Sequence, residues 1–476
     1  MSTTLVVSAP LPLDFARSSS VRTATSALGR RNTEPFRRVT PLPVWKRPQV
    51  KPSEKHADGG PDGRRNRLPF VIPLGRMAAE IQLCVPRAAT FVTDFYRFIK
   101  MKFDYDQIYD FNNLYRAYLA SRKSKRETRE VIQFEMNAGP NLCKLQEELR
   151  SETYQLSGYY HFTIHDPKVR EIYALHYRDR ILQHSLCDNV LAPYFEKHLV
   201  YDNSACRKDK GTLFAMNRLN GFLHEHFREY GTKGYFLKCD VRKFFDNIDH
   251  EILKRRLAEI VDDKRTLRLL FHIIDSYEVT PGKGIPMGNQ TSQWFALFYL
   301  DPLDRLVKEK LRIKHYTRYM DDMILVSNSK NVLNNALCEM RTLLTDLHLE
   351  FNEKTQIFPI SHGVEYLGWR FGLTETGAVT RRLKKHSKIR WKHRLRKLQA
   401  EYAAGRLAYD KVKEIIHSYK NHMSYGNTWK IYGKVMNGFV LKRLTEGAFA
   451  WDDRGMCFPA ITFQRARFTS GMVGKS

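Results

Sequence analysis

From about residue 101 to 230, apolar positions recur at three- and four-residue spacing, the period of helices with one buried face. GYFLKCDV (234–241) breaks the pattern with a β-rich run that predicts a strand. Helical spacing then returns to about residue 276. A Gly/Pro-rich loop, TPGKGIPMGNQ, leads into SQWFALFYLDPLDRLVKEKL, which reads as one helix. HYTRYMDDMILVS follows as two short strands about a tight turn. Next come a helix over 331–348 and a strand-rich stretch, HLEFNEKTQIFPISHGVEYLGWRFGLTETG. From Arg381 to about Arg443 the period is helical again. Strands interleaved with helices predict an α+β layer in the middle of the chain, followed by a separate helical bundle.

Two places in this pattern carry chemistry. Asp321 and Asp322 stand at or beside the predicted turn, against the apolar run Met323–Val326. Adjacent carboxylates repel unless something neutralises them. Mg²⁺ does so, and it favours carboxylate and phosphate oxygens. The plainer reading of an Asp-Asp pair is a surface turn. A third acid, Asp240, closes the strand Tyr235–Cys239 in LKCDVRKFFDNIDH. Two strands of one sheet that both end in acids bring their carboxylates together, an arrangement that holds two metals for in-line phosphoryl displacement. In the same segment Asp246 reads as a local helix-start acid and Asp249 as a surface residue.

Tyr319-Met320-Asp321-Asp322 resembles the YxDD box of reverse transcriptases. Asp240 followed by Phe245 resembles their first palm motif, an Asp with an aromatic five residues on. Further blocks match in order. Met287-Gly288 through Ser292-Gln293 is similar to the loop and helix that cradle nucleotide and template. Lys354, in FNEKT, matches the lysine after the catalytic hairpin, and Tyr366-Leu367-Gly368 the primer-grip turn. Upstream, YRDRILQHSL resembles a fingers block of the intron-type enzymes, and Arg207 with Lys210 falls in the second fingers block.

The resemblance covers about residues 105–440 and implies a right-hand polymerase. Fingers and palm would occupy 93–372, with an antiparallel palm sheet carrying the YMDD hairpin. A basic helical thumb would occupy 373–445 and a tail 446–476. It further implies RNA-directed DNA synthesis with two Mg²⁺ held by Asp240, Asp321 and Asp322, an RNA template, a DNA or RNA primer, and dNTPs. Phe245 would lie under the sugar and exclude a 2′-OH, the alternative being an ordinary core Phe. Arg207 and Lys210 would pair with the triphosphate, a solvated basic turn being the alternative. Gly288 would allow close backbone approach, with Ser292 and Gln293 beside it, and Lys354 would act as general acid.

Two departures narrow the resemblance. Met287 stands before the glycine where Gln is usual, and Gln293 follows the serine where Pro is usual. Both resemble the enzymes of diversity-generating retroelements, which copy with errors opposite template adenine and work with a small basic helical accessory protein. An antiphage-defence, retron or intron-type enzyme is the alternative of the same fold. A non-catalytic RNA-binding splicing cofactor is the alternative of another class. Phe245 disfavours an RNA-dependent RNA polymerase.

Charge supports a nucleic-acid partner. Lys plus Arg number 79 against 51 Asp plus Glu, a net of +28. RRLKKHSKIRWKHRLRK (381–397) holds 10 basic residues and no acid. Trp391, Tyr402, Tyr419, Trp429 and Tyr432 in or near it read mostly as bundle core. Residues 1–76 carry 10 of the 19 prolines and 14 basic residues against 5 acidic ones. They predict a disordered basic arm over 1–92, dispensable for polymerisation. Its Ser/Thr/Arg-rich start superficially resembles a transit peptide, but a dispensable arm or an early-assigned start codon, with Met101 as a natural start, is preferred over a targeting signal. The seven cysteines form no CxxC pair and suit reduced thiols in the cytoplasm. No apolar run approaches the length of a membrane span.

Overall fold

The structure, a computed structural model, describes residues 103–165, 169–451 and 457–467. They belong to the compact unit Thr90–Ser476. The arm expected over 1–92 lies outside the described residues.

Four helices come first: α1 (Asp106–Tyr109), α2 (Phe111–Ser121), α3 (Arg129–Met136) and α4 (Ala138–Arg150). Asp110 starts α2 by accepting the Asn113 amide, and Leu114, Ala117 and Tyr118 give it a buried stripe. Then β1 (Tyr159–Ile164) and β2 (Arg170–Leu175) pair as an antiparallel hairpin inside a region expected to be mostly helical. Their aromatic and β-branched residues favour strand, yet β1 is largely open to solvent, so no apolar alternation marked it. Helices α5 (Tyr177–Leu186), α6 (Ala192–His198) and α7 (Thr212–Tyr230) complete this part.

The centre is a four-stranded antiparallel sheet. It is built from β3 (Tyr235–Asp240), β4 (Tyr316–Tyr319), β5 (Asp322–Ser327) and β6 (Gln356–Pro359), in the order β4-β5-β3-β6. Within it β5 reads as a continuous apolar run, Met323–Val326, because both of its faces are buried. Leu237, Cys239, Met323 and Leu325 face one core, shared with α8 (His250–Ile260), α9 (Lys264–Asp275), α10 (Gln290–Tyr299) and α12 (Lys330–Asp346). Phe236, Ile324 and Val326 face a second core. That core is shared with α7, with the small sheet β7 (Val364–Tyr366), β8 (Trp369–Leu373) and β9 (Val379–Leu383), and with α13 (Lys385–Ala403), α14 (Tyr409–Met423) and α15 (Trp429–Asn437).

Three expectations change. The single helix expected over SQWFALFYLDPLDRLVKEKL breaks at Leu300 into α10 and α11 (Asp301–Arg305), because Pro302 has no N–H to continue the ladder. The basic segment beginning at Arg381 is strand before it is helix, since Arg381–Leu383 belong to β9, paired with β8. Finally, β10 (Val440–Trp451) and β11 (Cys457–Arg467) form a long antiparallel hairpin, so a strand crosses the boundary expected at 445. Of the bundle aromatics, Trp391, Tyr402 and Tyr432 are buried, with Trp391 and Tyr432 stacked at 6.0 Å, whereas Trp429 is exposed.

Candidate active site

Register assembles the acids. Asp240 is the last residue of β3 and pairs directly with Asp322, the first of β5. Direct partners on antiparallel strands project to the same face, with Cβ atoms about 5 Å apart. Across the hairpin Asp322 pairs with Tyr319, leaving Met320 and Asp321 as a two-residue turn. Met320 has φ +55°, a left-handed conformation that a bulky residue adopts only when its surroundings enforce it.

The enforcing contacts lie in the first core. Arg318, fully buried on β4, forms a bidentate pair with fully buried Asp304 of α11, Nε to Oδ1 at 2.7 Å and Nη2 to Oδ2 at 2.5 Å. Arg318 Nη1 also donates to the Met320 carbonyl at 3.0 Å and Nη2 to the Leu297 carbonyl at 3.1 Å. Tyr316 and Asn203 donate to the remaining Asp304 positions. Burial opposes the Arg318 charge, but Asp304 outweighs it and holds the guanidinium above its usual range. Backbone bonds from Arg318 to Asp202 and from Ser204 to Arg318 tie the strand to the preceding loop. The other end of the cluster is held too: Asn352 N donates to the Asp240 carbonyl at 2.7 Å, and Thr355 Oγ1 accepts from Asp240 N.

The acids share an unfavourable field. Asp322 is pushed up to about 6, first by burial and further by Asp240 and Asp321, with Lys238 opposing. Asp321 is raised mainly by burial, with Asp240 adding and Arg170 and Arg318 opposing. Asp322 Oδ1 stands 3.4 Å from Lys238 Nζ, an ion pair, yet it has no aligned hydrogen bond. A carboxylate oxygen without an aligned hydrogen bond, beside two further acids, matches the hard-oxygen donor set of Mg²⁺. Among the described residues no group of three His, Cys, Asp or Glu stands preassembled as a ligand cluster. Three like charges close up only when a cation offsets their repulsion.

The other predicted residues divide. Phe245 sits five residues beyond Asp240, half-buried against Phe244, and its carbonyl accepts from Ile285 N, which anchors the loop before Gly288. Gly288 is exposed with φ +102°; a Cβ there meets nothing within 4 Å, so the glycine is needed for its backbone angle. Ser292 is buried in α10 and presents no open hydroxyl, whereas Gln293 is half-buried. Helix α10 is held against α5, the YRDRILQHSL block, through Gln183 and Thr291. Lys354 is exposed on the loop pinned to Asp240. The primer-grip candidate is a tight turn, Tyr366 paired with Trp369, with φ +46° at Leu367 and +87° at Gly368.

Arg207 departs from expectation. Its guanidinium is buried and committed to the Glu196 carboxylate and to the Glu196, Val200 and Asn203 carbonyls, so it braces a loop. Lys210 donates to the Tyr201 carbonyl at 2.6 Å over the Tyr201 ring, and burial, with Arg207 adding, pulls it down to about 8. Asp249, read as a surface acid, is the buried N-cap of α8: it accepts the Glu251 and Ile252 amides and pairs with His348. Asp246 lies in a short 3₁₀ turn, Phe245–Asn247.

Reading the sequence missed Lys238, Arg170 and the Arg318–Asp304 pair. Period-two alternation would have put Lys238 on the face of Asp240. Nothing local in the sequence ties Arg170 or Asp304 to the acids. Among the described residues no helix is long and apolar enough to cross a membrane.

Residues 165–371 match the family model described as reverse transcriptase (RNA-dependent DNA polymerase), so this stretch is a reverse transcriptase domain containing all three acids. A COX1/OXI3 intron 2 protein of Saccharomyces cerevisiae (strain ATCC 204508 / S288c) is 25% identical over 147 residues, 29% of this chain and 16% of the yeast protein. Among solved structures, telomerase from Candida albicans with a TWJ fragment of telomeric RNA aligns at TM-score 0.37 and 11% identity, over 60% of this chain and 62% of that one. Apo telomerase from Candida tropicalis aligns at TM-score 0.36 and 14% identity, over 48% of this chain and 49% of that one. The chain spans less than two thirds of the length of each of these relatives.

Proposed function

We propose that this chain, whose residues 165–371 form a reverse transcriptase domain, is an RNA-directed DNA polymerase. The observation that carries the reading is the direct pairing of Asp240 with Asp322 beside the Met320–Asp321 turn. In this reading the β3–β6 sheet is the palm, α1–α6 with the β1–β2 hairpin are the fingers, and α13–α15 are the thumb. Asp240, Asp321 and Asp322 would hold two Mg²⁺, which when bound supply counter-charge and activate the primer hydroxyl.

The residues present do the remaining work. The primer 3′-oxygen attacks the α-phosphorus of the dNTP. A P–O bond forms, the α–β phosphoanhydride bond breaks, pyrophosphate leaves, and the hydroxyl proton passes to solvent. The Arg318–Asp304 pair fixes the turn that aims Asp321, so little reorganisation is needed at reaction. Arg170 adds a positive charge that reaches Asp321. Phe245 acts as the sugar gate, Gly288 and Gln293 border the nucleotide, and Lys354 donates a proton to the leaving pyrophosphate. The basic face of α13 holds the template–primer duplex through its phosphates.

Met287 and Gln293 favour the error-prone polymerase of a diversity-generating retroelement, with a small basic helical protein as partner. An intron-type enzyme is the second reading, favoured by the match to the yeast intron protein. Sequencing of the product separates them: errors concentrated opposite adenine support the first, and accurate copies the second. Asp321→Asn and Asp322→Asn each abolish primer extension on an RNA template while RNA binding survives. Full activity in either variant removes the carboxylates from the chemistry.

A further inference from the structure

We propose that Lys238 is a built-in counter-ion of the carboxylate cluster, holding Asp322 in place when no metal is bound and linking it to the strand before the Tyr366-Leu367-Gly368 turn. The inference rests on the reading of Asp240, Asp321 and Asp322 as metal ligands.

Alternation along β3 puts Lys238 on the face of Asp240, and its direct partner on β5 is Ile324, two residues beyond Asp322. A diagonal neighbour at that spacing is within reach of a long side chain. The ammonium uses the reach: Nζ lies 3.4 Å from Asp322 Oδ1 and donates to the Glu365 carbonyl at 2.6 Å. The Lys238 side chain keeps 26% of its surface open and that of Asp322 24%, so the pair sits at the rim of the sheet, where an ion can enter. Glu365 belongs to β7 and immediately precedes Tyr366. Its carboxylate pairs at 2.7 Å with Lys384, the residue capping α13. One cation therefore touches both a cluster acid and the strand that leads into the turn, and Glu365 of that strand is in turn paired with Lys384 at the start of α13.

The charge balance sets the sign of the effect. Asp240, Asp321 and Asp322 bring three carboxylates to one end of the sheet, and Lys238 is the cation in ion-pair contact with Asp322. Without metal it relieves part of the repulsion. With metal it competes for Asp322, because a cation bound there feels the nearby ammonium. An apolar residue at position 238 thus has opposite effects in the two states.

The test compares wild type, Lys238→Met and Lys238→Arg by thermal unfolding with and without saturating Mg²⁺, and by direct Mn²⁺ binding followed by electron paramagnetic resonance. Lys238→Met should lower the metal-free Tm by several degrees, and Mg²⁺ should close the gap. Mn²⁺ affinity should rise at least about five-fold, the worth of a unit charge about 4 Å away even at the dielectric of water. Lys238→Arg, which keeps the charge, should track wild type in both assays, and Lys238→Gln, which removes the charge but stays polar, carries the same comparison if the Met variant does not fold. An equal Tm loss with and without Mg²⁺, together with unchanged Mn²⁺ affinity, makes Lys238 an ordinary strand residue and overturns the proposal. Asp240→Asn is the control: if wild type binds Mn²⁺ no better than that variant, the ligand assignment itself fails and takes this inference with it.

Discussion

Replacing Arg318 by Met removes the buried cation behind the Met320–Asp321 turn, and the structure sets the size of the effect. The side chain loses two charge-assisted bonds to Asp304 and two bonds to the Leu297 and Met320 carbonyls. Asp304, with no exposed surface, keeps only Tyr316 and Asn203 as donors. Breaking a buried pair by removing one partner costs about 3–5 kcal/mol. Against a domain stability of about 5–15 kcal/mol that is a large fraction. Arg318→Met should therefore lower the unfolding free energy in urea by roughly 3–5 kcal/mol. The double variant Arg318→Met with Asp304→Leu removes both charges and should recover much of that loss, because well-packed apolar residues replace buried pairs at little cost. It should not recover primer extension, since Met320 at φ +55° has lost the donor on its carbonyl. The assay is urea unfolding of the three proteins, with single-nucleotide incorporation measured at a temperature where all are folded. An Arg318→Met loss under about 1 kcal/mol, or a fully active double variant, refutes the claim that this pair fixes the turn.

Three more outcomes follow from the same geometry. Phe245→Ala should raise ribonucleotide incorporation relative to deoxynucleotide while deoxynucleotide kcat changes less, measured by competing rNTP and dNTP; unchanged discrimination would make Phe245 a core residue only. Asp249 is held below the usual carboxylate range: burial pushes it up, but His348 and the Ile252 amide outweigh that. A carboxyl depressed on folding stabilises above its unfolded value and loses this as pH falls through the folded one, so the gap of about 1 kcal/mol between wild type and Asp249→Ala should hold at neutral pH and close below about pH 4. Replacing Lys388, Arg390 and Lys392 by Gln should weaken duplex binding regardless of sequence and flatten its log–log salt dependence by up to about one unit per lost phosphate contact, read from titrations at several salt concentrations.

How far the sequence disclosed this site follows from where each signal resides. The Asp240 strand and the YMDD hairpin were legible because both strands are short apolar runs bounded by acids, and strand order then fixes the pairing of Asp240 with Asp322. The β1–β2 hairpin was not, because solvent on β1 erases the alternation that marks a strand. Helix α10 was legible, but its break at Leu300 was hidden by an unbroken apolar pattern around Pro302. Arg207 was expected on the triphosphate from its place in the resemblance, with a solvated basic turn as the alternative; only the folded loop reveals that Glu196 and three carbonyls already fill its donors. Asp304 and Arg318 are 14 residues apart, and nothing local couples an acid on a helix to an arginine on the next strand. Lys238 was accessible to period-two reasoning and was overlooked beside the stronger signal of Asp240.

The most direct test of the central claim is single-nucleotide incorporation on a defined RNA template and DNA primer, with dNTPs and Mg²⁺, comparing wild type with Asp240→Asn of equal Tm. If Asp240 holds the metals, wild type extends the primer on the template and the variant loses at least about a thousand-fold, roughly what removing a group essential to the reacting centre costs. An Asp240→Asn enzyme that extends the primer within ten-fold of wild type would contradict it.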